Sequence, residues 1–211
     1  MTKNLIQQLT VPPSVLSRWN DIKIELIRKT IHMSIALVPL LAAVAGRGFA
    51  FLLLSGGCLF YAYAEYLRVH GSKVVLVSKL TVMAARPRDL GTYVIGPLTL
   101  GLGAMLSLLL YPETIAAIAI YALAFGDGFA SLVGKSIGQI KLHPISDKTL
   151  EGSLACFTAV YFVTFRITGS AEKSLLIALV ATAIELLPLK DFDNLFLPIG
   201  VGLISSQIIF M

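Results

Sequence analysis

The chain has 211 residues, 56% hydrophobic and only 14% charged, with a mean hydropathy of +0.84. A soluble core of this length cannot bury so much apolar surface, so the composition points to an integral membrane protein. The net charge of +5 is informative by position along the chain, and no nucleic-acid partner is expected. Cys58 and Cys156 stand alone in separate apolar runs, which excludes a disulfide framework or a Cys/His zinc site and leaves them as packing residues.

A transmembrane helix needs roughly 20 apolar residues. Seven stretches qualify: Glu25–Ala45, Gly48–Leu67, Thr92–Tyr111, Thr114–Val133, Leu150–Thr168, Lys173–Leu187 and Leu195–Met211. The sixth is short and ends at Pro188. The expected fold is therefore an all-α integral membrane protein: one catalytic domain over 1–211, about seven spans, and a cytoplasmic or interfacial segment over 1–24. The first twenty residues show no signal peptide. Short interfacial helices are expected at Ser14–Ile24, anchored by Trp19, and at Gly71–Ala85, where Leu76, Val77, Leu80, Met83 and Ala84 form a stripe flanked by Lys73 and Lys79. With the N-terminus cytoplasmic, one membrane face carries 14 of the 17 basic residues, and only Arg47, Arg166 and Lys173 fall on the other. The chemically rich loops share that cytoplasmic face, which favours a one-sided active site over a pore.

In chain order, Glu25, Arg28, Lys29 and His32 follow i, i+3, i+4, i+7 and share one helical face. Arg28 and Lys29 suit phosphate oxygens, with Glu25 and His32 orienting them; flanking charge and snorkelling explain the two cations more simply, but not His32, one turn deeper. Arg86-Pro87-Arg88-Asp89 offers further cations, for a nucleotide or for headgroups. Glu65, Arg68, His70 and His143 read as solvated or locally paired.

Asp127 sits inside the fourth span, and an ionisable group within a span marks function. Gly126, Gly128, Gly134 and Gly138 surround it, and Lys135 follows. The run from Gly128 to Ser136 is not a P-loop, because it has one residue too many between the glycines and no preceding strand. Gly134 and Gly138 form a GxxxG beyond the apolar run, which argues against a dimer face. A carboxylate for Mg²⁺ with lysines for phosphates is the chemistry that remains.

Ser146, Lys148, Thr149, Gly152 and Ser153 open the fifth span, where a helix N-terminus favours an anion. Glu151 there either caps the helix or binds metal. Between the sixth and seventh spans, Glu185, Asp193 and Asn194 cluster on the same face as Asp127.

These motifs resemble the polyprenol kinase family, which includes dolichol kinase, phytol kinase and CTP-dependent diacylglycerol kinase. The resemblance rests on R28-K29-x-x-H32, G126-D127-x-x-A130-x-x-x-G134-K135-x-x-G138, K148-T149-x-E151-G152-S153, and E185 with D193-N194 and Pro198, in that order. It implies a membrane enzyme that moves the γ-phosphoryl group of CTP, with a divalent metal, to a lipid alcohol such as diacylglycerol or a polyprenol. Under it, Asp127, Glu185, Asp193 and His32 are catalytic, and Asp127, Glu151 and Asp193 hold metal. Arg28, Lys29, Lys135, Ser146, Lys148, Thr149, Gly152, Ser153 and Asn194 bind nucleotide. The expected setting is a bacterial or archaeal cell membrane, with the site on the cytoplasmic face.

The second and third motifs are also similar to phosphatidate cytidylyltransferase, whose later P-G-H-G-G signature is missing here. Cytidylyl transfer is the nearest alternative. A small transporter and a non-catalytic scaffold are weaker ones, since no inverted repeat is present and the ordered motifs need explaining.

Overall fold

The computed structural model describes residues 13–72, 92–143 and 146–210, with side chains from residue 22 onward. The expected interfacial helix at Gly71–Ala85 and the Arg86–Asp89 loop lie almost wholly outside those residues. The described chain is helical apart from one isolated antiparallel bridge, Lys141 to Thr149.

Helix α1 is Pro13–Met33; a 3-10 turn at Ser34–Ala36 leads to α2, Leu37–Ala45. Helix α3 is Arg47–Val69, α4 is Gly96–Leu110, and α5 is Glu113–Tyr121. A π-helical turn, Ala122–Asp127, joins α5 to α6, Gly128–Ser136. Then come α7, Leu150–Thr168, and α8, Ala171–Glu185; a 3-10 turn at Lys190–Phe192 precedes α9, Asp193–Phe210. The segment at Ser14–Ile24 is continuous with the first span and forms no separate helix.

Among the described residues, five helical stretches are long and apolar enough to cross a membrane: Ile22–Ala45, Arg47–Val69, Glu113–Ser136, Leu150–Thr168 and Lys190–Phe210. The third and sixth expected spans form helices α4 and α8 of 15 residues each. At 1.5 Å per residue these reach about 22 Å, short of a hydrocarbon core of about 30 Å. Pro97 and Tyr111 bound α4, and Pro188 follows α8 closely, so neither helix can lengthen freely.

The stretch Glu113–Ser136 forms the centre. Its most apolar window is 67% buried, against 17% for Arg47–Val69. Two apolar clusters meet on it. One joins Ile35 and Val38 to Leu108, Ile115, Ile120 and Leu123; the other joins Ile118 to Cys156, Val160, Ile177, Leu197 and Val201. The outward faces carry exposed Val44, Leu52 and Leu59, as lipid contact requires.

Close helix approaches fall at glycines. A β-carbon at Gly126 would lie 2.9 Å from Val160 and 3.3 Å from the Cys156 sulfur, and one at Gly101 would meet the Cys58 sulfur. Both cysteines are free and serve as packing residues. Pro198 lies inside α9 and has no N–H for the carbonyl one turn back, which belongs to Asn194. Gly103 packs directly against that carbonyl.

Candidate active site

The π turn ends at Asp127, and such turns recur at functional sites because the widened ring re-aims backbone and side chains. Asp127 is buried and accepts a charged hydrogen bond from the buried ammonium of Lys29. His32 Nε2 lies 3.2 Å from the same Asp127 oxygen and 2.9 Å from the Leu123 carbonyl. Both partners only accept, so Nε2 carries the proton and is shared between them. The polar face of α1 therefore turns inward onto the central helix, which positive-inside flanking alone does not require.

One turn toward the membrane surface, Glu25 binds three groups: Arg28 on its own helix, and Ser131 and Lys135 on α6. Ser131 is absent from the motifs above, yet it lies four residues beyond Asp127 and so on the same face; that spacing was the available signal. The Lys135 side chain is 49% exposed, while that of Lys29 is 6% exposed, so Lys135 is the cation within easy reach from outside.

Lys148, from the loop before α7, reaches across to α8. Its Nζ is 2.9 Å from Glu185 Oε1 and also donates to the Glu185 carbonyl. Glu185 Oε2 is buried and has no hydrogen-bond partner among the described residues, and the same holds for the Ser153 hydroxyl oxygen. Asp193 opens α9, accepts the Asn194 N–H at 2.9 Å, and interacts electrostatically with Asp127, Lys29 and Lys148. Four cations (Arg28, Lys29, Lys135, Lys148) thus face four carboxylates (Glu25, Asp127, Glu185, Asp193) across five helices.

Several sequence candidates have structural work instead. The Glu151 carboxylate accepts the Gln139 N–H at 3.0 Å and the Ile140 N–H at 3.3 Å, holding the turn after α6, a role that competes with metal ligation. Thr149 is the N-cap of α7, its hydroxyl accepting from Gly152 N–H at 3.2 Å. Gly152 is a packing position: a β-carbon there would lie 2.7 Å from the Ala130 carbonyl. Gly134 and Gly138 close on Thr149 in the same way, so this GxxxG packs within the chain. Ser146 is buried and accepts the Lys148 N–H at 3.0 Å, fixing the backbone that carries Lys148. Asn194 Nδ2 donates to Thr99 Oγ1 at 2.9 Å and the Gly96 carbonyl at 3.2 Å, tying α9 to α4. His143 pairs locally with Asp147 at 3.0 Å, both exposed.

No three His, Cys, Asp or Glu side chains converge as a metal cage among the described residues. Mg²⁺ commonly takes one or two carboxylates and completes its shell with phosphate oxygens and water. The unpartnered Glu185 oxygen, with Asp127 and Asp193 in the same cluster, fits that mode.

No protein-family model matches the chain, and no solved structure matches it. It is 28% identical over 204 residues to a protein named probable phytol kinase 3, chloroplastic, from Glycine max, covering 86% of this chain and 62% of that one. A protein named probable phytol kinase, chloroplastic, from Triticum aestivum is 31% identical over 96 residues, covering 38% of this chain and 32% of its own length. An uncharacterised protein of Methanocaldococcus jannaschii is 27% identical over 155 residues, covering 72% of this chain and 74% of its own. The chain thus spans less than two thirds of either plant relative. The chain is therefore similar to proteins named as probable phytol kinases, and its described residues include five helices long and apolar enough to cross a membrane.

Proposed function

We propose that this protein is a lipid-alcohol kinase that transfers the γ-phosphoryl group of CTP to the hydroxyl of a membrane isoprenoid alcohol of the phytol type. The observation that carries the reading is the set of cation–carboxylate pairs, buried Lys29 with Asp127 and half-buried Lys148 with Glu185, brought together by the helices of a chain similar to proteins named as phytol kinases.

Balanced pairs suit exchange. A polyphosphate takes Lys29, Lys135, Lys148 and Arg28 as partners, and the released Asp127, Asp193 and Glu185 oxygens are then available to a divalent cation. The bound cation supplies neutralisation of charge on the phosphate oxygens as the bond breaks. The lipid alcohol enters from the bilayer with its hydroxyl at the level of the cluster. Its oxygen attacks the γ-phosphorus, the bond from that phosphorus to the bridging oxygen breaks, and nucleoside diphosphate leaves. The hydroxyl proton passes to Asp193 or Glu185. His32 holds Asp127 and the π turn in register, and the buried cluster keeps water from competing as acceptor. By the distribution of Lys and Arg, the site faces the cytoplasm.

The test uses purified protein in detergent with Mg²⁺, phytol and diacylglycerol as acceptors, and CTP labelled separately at its α- and γ-phosphates. The proposal expects label from the γ position in phytyl phosphate. Label from the α position instead makes the enzyme a cytidylyltransferase; γ transfer only to diacylglycerol, or only from ATP, corrects the acceptor or donor. No transfer from CTP or ATP overturns the reading.

A further inference from the structure

Glu65 is a fully buried carboxylate, 0% exposed, near the end of α3 and outside every motif that identifies the site. Arg68 grips it through two bonds of 2.7 Å, Nε to Oε2 and Nη2 to Oε1. Such a fork is geometrically specific. As a source of stability it is a poor choice, because removing both charges from water offsets much of their attraction.

What the pair does supply is a grip on the backbone entering α4. Glu65 Oε1 accepts the Val94 N–H at 2.7 Å, and Arg68 Nη2 donates to the Thr92 carbonyl at 2.6 Å. Two tyrosines reinforce it: Tyr61 donates to the Val94 carbonyl at 2.8 Å, and Tyr93 donates to the Ala62 carbonyl at 2.9 Å. Residues 92–94 are therefore tied to α3 on both edges. Gly96 stands two residues later and Thr99 five, and these are the two partners that hold the Asn194 side chain. Asn194 in turn adjoins Asp193 at the start of α9, inside the charged cluster.

We propose that Glu65, clamped by Arg68, is a positioning residue for the phosphoryl-transfer site: it sets the first turn of α4, and through Gly96 and Thr99 it orients Asn194 and Asp193. The inference rests on the kinase reading for its kinetic consequence. Its geometric consequence stands apart from activity.

Glu65→Gln alone leaves the half-buried Arg68 without its counter-charge and threatens folding, so the informative variant is Glu65→Leu with Arg68→Met. Replacing a buried pair by apolar groups of similar volume commonly preserves stability. Because it also removes the partners of the Val94 N–H and the Thr92 carbonyl, this double variant is expected to fold but to melt several degrees below the parent. Its kcat should fall about tenfold, the size that coupling through a contacting network reaches, with KM for CTP unchanged because the phosphate-binding cations sit on other elements. In an Asn194→Ala background the same double change should add little further loss. Parent-like kcat, or an undiminished tenfold loss on top of Asn194→Ala, overturns the proposal.

A second readout needs no catalysis. A β-carbon at Gly96 would lie 4.0 Å from an Asp191 side-chain oxygen, across the junction in question. Gly96→Cys with Asp191→Cys, in a chain with Cys58 and Cys156 replaced by serine and alanine, should cross-link under mild oxidation. The Glu65/Arg68 replacement should slow that reaction several-fold. An unchanged rate means that the α3 clamp does not set α4 against the start of α9, whatever the enzyme does; slowed cross-linking with no kinase activity retains the clamp and discards the kinase.

Discussion

At the scale of single residues, the partner of each charged group separates those that act from those that hold. Asp127 and Lys29 are both buried and face each other, so neither can be removed without stranding its partner. Breaking a buried pair costs about 3–5 kcal/mol of stability. Asp127→Asn should therefore lose both turnover and thermal stability. Lys29→Gln combined with Asp127→Asn should recover the melting temperature while leaving phosphoryl transfer abolished; recovered turnover would show the pair to be structural. Glu151→Gln is the contrasting case. Its carboxylate serves the backbone of Gln139 and Ile140, so turnover should fall by less than about tenfold, without a change in Mg²⁺ dependence. A Mg²⁺ requirement displaced to much higher concentration would return Glu151 to the metal ligands.

At the scale of elements, the junction of α6 with α7 depends on the absence of side chains. Gly134, Gly138 and Gly152 crowd around the Thr149 hydroxyl, which also caps α7. Gly152→Ala places a methyl group 2.7 Å from the Ala130 carbonyl, a backbone atom that can yield only by shifting the helix. Such overpacking costs about 1–3 kcal/mol and should lower the melting temperature in detergent, with activity falling because Lys148 is carried by the same junction. Thr149→Ala removes a cap worth about 1 kcal/mol and should shift melting less than Gly152→Ala does. The reverse order would mean that capping outweighs packing at this joint.

At the scale of the whole molecule, the central stretch Glu113–Ser136 explains how a charged cluster survives among membrane helices. It is the most enclosed of the five span-length stretches, packed against α1, α7 and α9. The short helices α4 and α8 both lie against α9, the helix that Asp193 and Asn194 open. Orientation is testable here. In a chain otherwise free of cysteine, Lys190→Cys should react with a membrane-impermeant maleimide from the cytoplasmic side, and Gly169→Cys from the opposite side. Labelling in the reverse sense would move the site to the other face.

Local pattern alone determined much of this protein. Apolar run length sets where helices form, spacing on α1 puts Glu25, Arg28, Lys29 and His32 on one face, and a carboxylate within a span marks Asp127. These are properties of neighbouring residues, governed by helical period and by the cost of charge in hydrocarbon. Partnership could not be read that way. That Lys29 finds Asp127, that Lys148 finds Glu185, and that Glu151, Thr149 and Gly152 hold backbone in place all depend on which helices pack side by side. Glu65 shows the difference most plainly: two residues from the end of the expected span it reads as solvated or locally paired, and it does pair with Arg68 three residues on, yet the fold buries it completely and aims it at the backbone leading into α4. Packing between distant segments decides desolvation, and desolvation decides whether a charged side chain is solvated, structural or poised for chemistry.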